Sequence, residues 1–342
     1  MKHYTIPFFI THKGCPFKCI FCDQKHISGS FSAISPIDIN KKINSYLKTF
    51  PKNSKIEAGF FGGTFTGLKK NDQEKYLKTI QPFIRSKKIS GIRLSTRPDY
   101  INQDILSMLK KYHVTTIELG VQSMDNNVLT AVKRGHCFND IKTASELILK
   151  NKFVLAHQLM VGLPKSSLSK EIKSANLSID LKASEVRIYP LIVIKNTALA
   201  DMYQKQQFSP LSLQTAIKRC SKLIKLFEQA HIKILRCGLH PVDTLTTDNN
   251  IIAGPFHPAF RQLVDAHIYK NLLKKNLSKT ILKIYYNPED TSYVIGPNRK
   301  NAFFVEKFLK TANIFTQDRN IKKNSLCIQY KNGTKKTVFK YD

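Results

Sequence analysis

The chain has no run of about eighteen apolar residues, and Met1 to Ile10 carries only Lys2 and His3 ahead of a short apolar stretch with no small-residue cleavage site. Neither a membrane span nor a secretory leader is expected. Acidic residues are scarce: 24 Asp and Glu stand against 55 Lys and Arg, a formal charge of +31. That excess favours polyanionic partners such as nucleic acid, although its weighting toward lysine also fits a chain rich in Lys, Ile and Asn throughout. Disulfide pairing has little support. Of seven cysteines, Cys137, Cys220, Cys237 and Cys327 are scattered and three crowd into one short stretch, an odd total that suits a reducing cytoplasm.

With 342 residues and 42% hydrophobic content, there is enough material for a large α/β domain with a smaller companion. Continuous apolar runs alternate with helical patterns: "YTIPFFI" then "PIDINKKINSYLKTF", "IEAGFFGG" then "NDQEKYLKTIQPFIRS", "GIRLST" then "QDILSMLKKY", "TTIELGVQS" then "FNDIKTASELILKN". "FVLAHQLMVGLP", "EVRIYPLIV" and "IKILRCG" continue the beat with their helices. Strands of this kind, each followed by a helix, predict a full or partial parallel β/α barrel over residues 1–245. In such barrels the loops after the strands meet at one mouth, so the cysteine run, "GGT", "STRPD", "GVQS" and "VGLP" are expected to converge. After residue 245 the beat changes. "IIAGPFHPAFRQLVDAHIYKNLLKKN" reads as helical, and strand, turn, strand, helix and further strands follow, defining a small α+β unit over 246–342. From Lys270 to Asp342 it holds 16 basic residues against 5 acidic.

"GCPFKCIFCDQ" places Cys15, Cys19 and Cys22 within eight residues. Zinc would need a fourth ligand from His12, Asp23, His26 or a remote residue. Three thiolates on one loop can instead hold three irons of a [4Fe–4S] cluster and leave the fourth open for a ligand. A trio of core cysteines is the bland alternative. Here the chain resembles the radical S-adenosylmethionine (SAM) enzymes, whose cluster loop looks like "CPFKCIFC". The resemblance implies that SAM chelates the open iron and is cleaved reductively to a 5′-deoxyadenosyl radical, with a flavodoxin or ferredoxin as electron donor. It also implies that Gly62 and Gly63, with Thr64 beside them, receive the methionyl amino group and that Arg134 grips the carboxylate. The backbone of Phe21 would meet the adenine. Ser95 and Arg97 stand where relatives often place a glutamate on the ribose, with Gln122 and Gln158 as helpers.

"STRPDYI", "IELGVQSMDNNVL" with "KRGH", and "GLP" resemble the catalytic subunit of Elongator, which modifies wobble uridines of tRNA, and its shorter bacterial relatives. Oxygen-independent coproporphyrinogen oxidases share "GVQS" and "GLP". Two departures from Elongator stand out: its first two cysteines are further apart, and its acetyltransferase domain has no room after residue 245, so acetyl-CoA is not an expected substrate. In the tail, "VIGPNRKNAFFVEKF" resembles the K-homology RNA-binding loop, with Gly296 as its first glycine and Arg299 in place of its second. That resemblance implies RNA contact at Gly296, Arg299 and Lys300. Three functions compete: a cytoplasmic radical SAM enzyme acting on a tRNA base, the same chemistry on a porphyrinogen or other small anion, and a non-catalytic iron–sulfur RNA-binding protein. Cys220 and Cys237 read as buried small hydrophobes, His257 and His267 as core histidines or catalytic groups.

Overall fold

The computed structural model describes residues 2–10, 15, 19–23, 34–239 and 250–342. Seven parallel strands lie side by side in chain order: β1 (His3–Phe9), β2 (Lys55–Phe61), β3 (Gly91–Thr96), β4 (Val114–Gln122), β5 (Val154–Val161), β6 (Glu185–Pro190) and, after the two-residue β7 (Val193–Ile194), β8 (Lys233–Cys237). The sheet curls, but β1 and β8 do not pair, so the expected barrel is an open one. Helices α1 (Pro36–Thr49), α2 (Lys70–Arg85), α3 (Gln103–Lys111), α4 (Asn126–Ala131), α5 (Phe138–Lys150), α6 (Leu168–Asp180), α7 (Ala198–Gln204) and α8 (Leu213–Gln229) fill the crossovers.

Local chemistry sets these elements. Ser35, Asn102, Asp125, Ser167 and Ser212 each accept a first-turn backbone N–H with the side chain, starting α1, α3, α4, α6 and α8. Such caps are worth about 1 kcal/mol apiece. On α8, Ala216, Ile217, Cys220, Leu223, Ile224 and Phe227 recur at helical spacing and are buried. Along β1 the period is two: Ile6 and Phe8 pack outward under the helices, while Thr5, Pro7 and Phe9 line the interior.

A belt of charge crosses the interior of the sheet. Buried Arg93 donates from Nε to Glu57 (3.1 Å), from Nη1 to Glu118 (2.7 Å) and from Nη2 to Glu185 (2.7 Å). Arg187 forks onto Glu118 at 2.7 and 3.0 Å, and Gln158 Nε2 donates to the same carboxylate at 3.0 Å. His3 Nε2 lies 2.8 Å from Glu57, and Lys233 Nζ 3.2 Å from Glu185. Every strand of the sheet from β1 to β6, and β8, contributes a member. Burial works to raise the Glu118 carboxyl, but Arg187, Arg93 and the Gln158 bond overcome it and hold the group below its ordinary range.

The second unit is built on α9 (Phe260–Lys275), which follows the short strand β9 (Ile251–Ala253). Phe260, Val264 and Ile268 of α9 pack into the main core, whereas Tyr269, Leu272 and Leu273 belong to a separate core. That core is covered by β10 (Ile281–Tyr286), α10 (Thr291–Val294), α11 (Lys300–Leu309), β11 (Phe315–Gln317), β12 (Ser325–Tyr330) and β13 (Lys335–Phe339), with strand order β11-β10-β12-β13. The expected boundary near residue 245 lies outside the described residues.

Three local expectations are corrected. Ile251–Ala253 is a strand paired antiparallel with β7, because Gly254, Pro255 and Pro258 delay the helix until Phe260. "EVRIYPLIV" divides into β6 and β7. "TSYVIG" is helical through Val294, despite its β-branched residues, since Asn287 and Pro288 open a turn that leads straight into α10 and buries Val294.

Two stability predictions follow from buried charge. Arg93→Met removes the cation shared by three buried carboxylates, leaving them His3, Arg187 and Lys233 as basic partners, and urea denaturation is expected to show a loss of about 3–5 kcal/mol; a loss below about 1 kcal/mol would mean that these partners and water suffice. His157, fully buried between Ser145 Oγ (3.1 Å) and Ser178 Oγ (3.2 Å), is lowered by burial from 6.5 to about 3. Its folded pKa lies below its unfolded one, so its contribution is complete above about pH 6.5 and shrinks as pH falls toward 3. Stability measured by denaturation at pH 5 should be about 2 kcal/mol lower than at pH 7 through this group, a difference His157→Gln should remove.

Candidate active site

The ends of the strands surround one cavity of about 740 Å³. Cys15, Cys19, Phe21, Cys22, Gly62, Gly63, Thr64, Ser95, Arg97, Gln122, Arg134 and Gln158 all line it. The loop after β1 is pinned at its far end: Ile20 N donates to the Val132 carbonyl and Leu199 N to the Ile20 carbonyl, while Cys22 N donates to the Cys19 carbonyl. Ile20 packs with Val128, Val132, Leu163 and Leu199, anchoring the cysteine loop between α4 and α7. His12 and His26 lie outside the described residues, so zinc ligation by them has no structural description.

Arg134 reaches across the mouth from the turn after α4. Its Nη2 donates to the Gly120 carbonyl at 2.6 Å, its Nη1 lies 3.6 Å from Cys19 Sγ, and its buried Nε has no hydrogen-bond partner. Gly120 leaves the space: a Cβ there would sit 2.7 Å from Nη2. Gln122 adopts φ +65° where β4 breaks register with β5, and its buried Oε1 is also unpartnered. Gly62, at φ +82°, turns the chain from β2 toward Thr64. Arg134 and Gln122 both line the cavity, and each keeps one buried polar atom without a hydrogen-bond partner.

Other predicted residues have local partners. Arg97 forks onto Asp99 at 3.0 and 2.9 Å, and Gln158 is engaged with Glu118. Buried His136, 3.8 Å from Asp99, is lowered to about 3 by burial and by the cations of Arg134 and Arg97, so it stands neutral beside them. The glycine of "VGLP", Gly162 (φ +87°), donates its N–H to Glu171 at 2.8 Å, and Arg219 holds that carboxylate at 3.0 Å. Cys220 and Cys237 are buried, and burial pushes the Cys220 thiol up. His257 accepts from Ala259 N, and His267 faces Asn271; neither lines the cavity.

Sequence reasoning missed the lower wall. Arg93, Arg187, Tyr189, Lys233 and Arg236 also line the cavity, and the Arg187 guanidinium lies 5.3 Å from the Phe61 ring. The available signal was a charge recurring inside apolar strand runs, as in "IEAGFF", "GIRLST", "TIELG" and "EVRIY".

The Radical SAM superfamily description matches residues 9–176, and the Radical_SAM C-terminal domain residues 183–270. The chain belongs to the radical SAM superfamily, a family of enzymes that bind a [4Fe–4S] cluster and SAM. Among its relatives is an uncharacterized protein of Methanocaldococcus jannaschii, 32% identical over 211 residues, 58% of this chain and 64% of that one. A tRNA uridine(34) acetyltransferase of Methanocaldococcus infernus is 27% identical over 244 residues, 60% of this chain and 46% of the enzyme. In fold, the chain resembles the solved structure of archaeal Methanocaldococcus infernus Elp3 with an N-terminal deletion, at TM-score 0.61 and 24% identity, over 81% of this chain and 64% of that one. The chain thus spans less than two thirds of the length of these relatives.

The residues present fit both groups: three thiols on one loop supply soft ligands for iron, and Arg134 Nε and Gln122 Oε1 are buried and unsatisfied beside them. Among the described residues no three His, Cys, Asp or Glu side chains are gathered closely enough to hold a single metal ion. Gly120→Ala tests the role of Arg134. It should weaken SAM binding to the reconstituted protein about tenfold, measured by calorimetry, with iron content unchanged. Unchanged affinity would remove Arg134 from the cofactor site.

Proposed function

We propose that this chain is a radical SAM enzyme that modifies a base of tRNA. The observation that carries the reading is the single cavity in which three thiols, an arginine with an orphaned donor and two strand-end glycines meet above a charged lower wall. Cys15, Cys19 and Cys22 would hold the cluster. Gly62, Gly63 and Thr64 would receive the amino group of SAM, Arg134 its carboxylate, Ser95, Gln122 and Arg97 the ribose side, and the Phe21 backbone the adenine. Gln158 would act through Glu118. When bound, the cluster and SAM supply a 5′-deoxyadenosyl radical. The chain's part is to hold both against the strand ends, exclude water and present the substrate carbon.

The cavity volume lies in the upper part of the roughly 300–1,000 Å³ spanned by small-molecule sites, so a cofactor and a base can share it. Kinship with a tRNA uridine(34) acetyltransferase and the formal charge of +31 support tRNA. Gly296, Arg299 and Lys300 would contact the RNA backbone. A flavodoxin or ferredoxin as electron donor and a cytoplasmic setting complete the proposal; among the described residues no helix is long and apolar enough to cross a membrane. A small anionic substrate is the second reading, favoured by Arg187, Lys233 and Arg236 on the lower wall.

The test is anaerobic. Protein reconstituted with iron and sulfide, reduced with dithionite and given SAM should release 5′-deoxyadenosine, and Cys19→Ala should release none. A fully loaded cluster without product would overturn the enzyme reading. Steep loss of tRNA binding with rising salt separates the RNA substrate from a small anion.

A further inference from the structure

Helix α11 buries Asn301, Ala302 and Val305 on one side. On the other, Lys300, Phe303, Lys307 and Lys310 follow one another at spacings of three and four, which makes a single outward stripe that runs just past the last turn. Phe303, in the middle of the stripe, is 57% exposed. A phenyl ring in water at that place is not explained by the packing of the unit, whose core lies on the opposite face.

Cations lie beside Phe303 and its neighbour Phe304. The Arg299 guanidinium lies 5.5 Å from the Phe303 centroid, and Lys270 Nζ 5.4 Å from that of Phe304. Glu306, the one acid of α11, is taken by Arg299 at 3.2 Å. The loop before the helix shows Arg299 outward through successive residues of positive φ, Asn298 (+50°) and Arg299 (+57°). Gly296 has a structural reason to be glycine: a Cβ would lie 2.9 Å from Asn301 Cγ, and the Asn301 amide holds the carbonyls of Ala266 and Tyr293.

We propose that this face of α11 docks single-stranded RNA, with a base stacking on Phe303 and phosphates meeting Arg299, Lys300, Lys307 and Lys310. The proposal rests on the RNA reading above and specifies its form: an unpaired segment held by the C-terminal unit. Charge decides the occupant. Residues 270–342 carry 16 basic and 5 acidic groups, so a second copy of the chain would set like charges against each other, while a polyanion neutralises them. The Phe303 ring decides the strandedness, because an exposed aromatic face engages an unstacked base and finds none on the outside of a duplex.

The experiment uses the full chain and a fluorescein-labelled uridine-rich 12-mer RNA, alone or annealed to its complement, followed by anisotropy across a salt series. Phe303→Ala should weaken single-strand binding about tenfold and leave its salt slope nearly unchanged, with little effect on the duplex. Lys300→Glu, Lys307→Glu and Lys310→Glu together should weaken binding and flatten the slope. Both variants change exposed side chains, so their unfolding midpoints should match the parent. The 5′-deoxyadenosine assay without RNA separates the two readings: normal product with unaltered RNA binding sinks this surface alone, whereas lost RNA binding in a chain that never makes product sinks the enzyme reading alone. Wild-type affinity in the aromatic variant, or its conversion from dimer to monomer in sedimentation, overturns the proposal.

Discussion

Arg93 is the centre on which the open barrel depends. A parallel sheet whose two edges never meet has no closing hydrogen bonds to keep its interior in shape, and here side chains take that part. One guanidinium binds carboxylates from β2, β4 and β6, and these reach on to Gln158 of β5, Lys233 of β8 and His3 of β1. Buried charges are costly to desolvate, so such a belt persists only where nearly every charge is paired. It gives the sheet a fixed curvature below the mouth, and it keeps the interior polar enough to receive a polar ligand.

Above the belt, the site is assembled from parts that each have a local reason. The cysteine loop is tied to α4 and α7 through Ile20, Arg134 is aimed by the Gly120 carbonyl, and Gly62 and Gln122 take positive φ where their strands end. Arg134 joins the two halves of this arrangement, since the same guanidinium touches Cys19 and the end of β4. Chemistry at the mouth is thereby coupled to the register of the sheet. The second unit shares α9 with the main core, so its basic surface is attached through a continuous helix rather than a free linker.

Much of this was legible in the chain. The beat of apolar runs and helices predicts the parallel sheet because buried strands need no alternation, and the three cysteines are readable because their geometry is carried by eight consecutive residues. The motifs after each strand were readable for the same reason: each is short, and topology alone brings strand ends together. What escaped was non-local. Glu57, Arg93, Glu118 and Arg187 appear in sequence as interruptions of hydrophobic runs, and their partners are 25 to 92 residues away. The helical fate of "TSYV" also escaped, because burial of Val294 outweighs the preference of β-branched residues for strands.

By itself, then, the sequence determined the family, the crowding of Cys15, Cys19 and Cys22 into one short stretch after β1, and the succession of strands and helices, all of which depend on residues close together in the chain. Tertiary structure alone decided that the barrel stays open between β1 and β8, that Gln158 serves Glu118, and that Arg134 stands against Cys19, 115 positions earlier. Contacts over such distances depend on strand register and on which face each side chain takes, and neither is written in any short stretch of the chain.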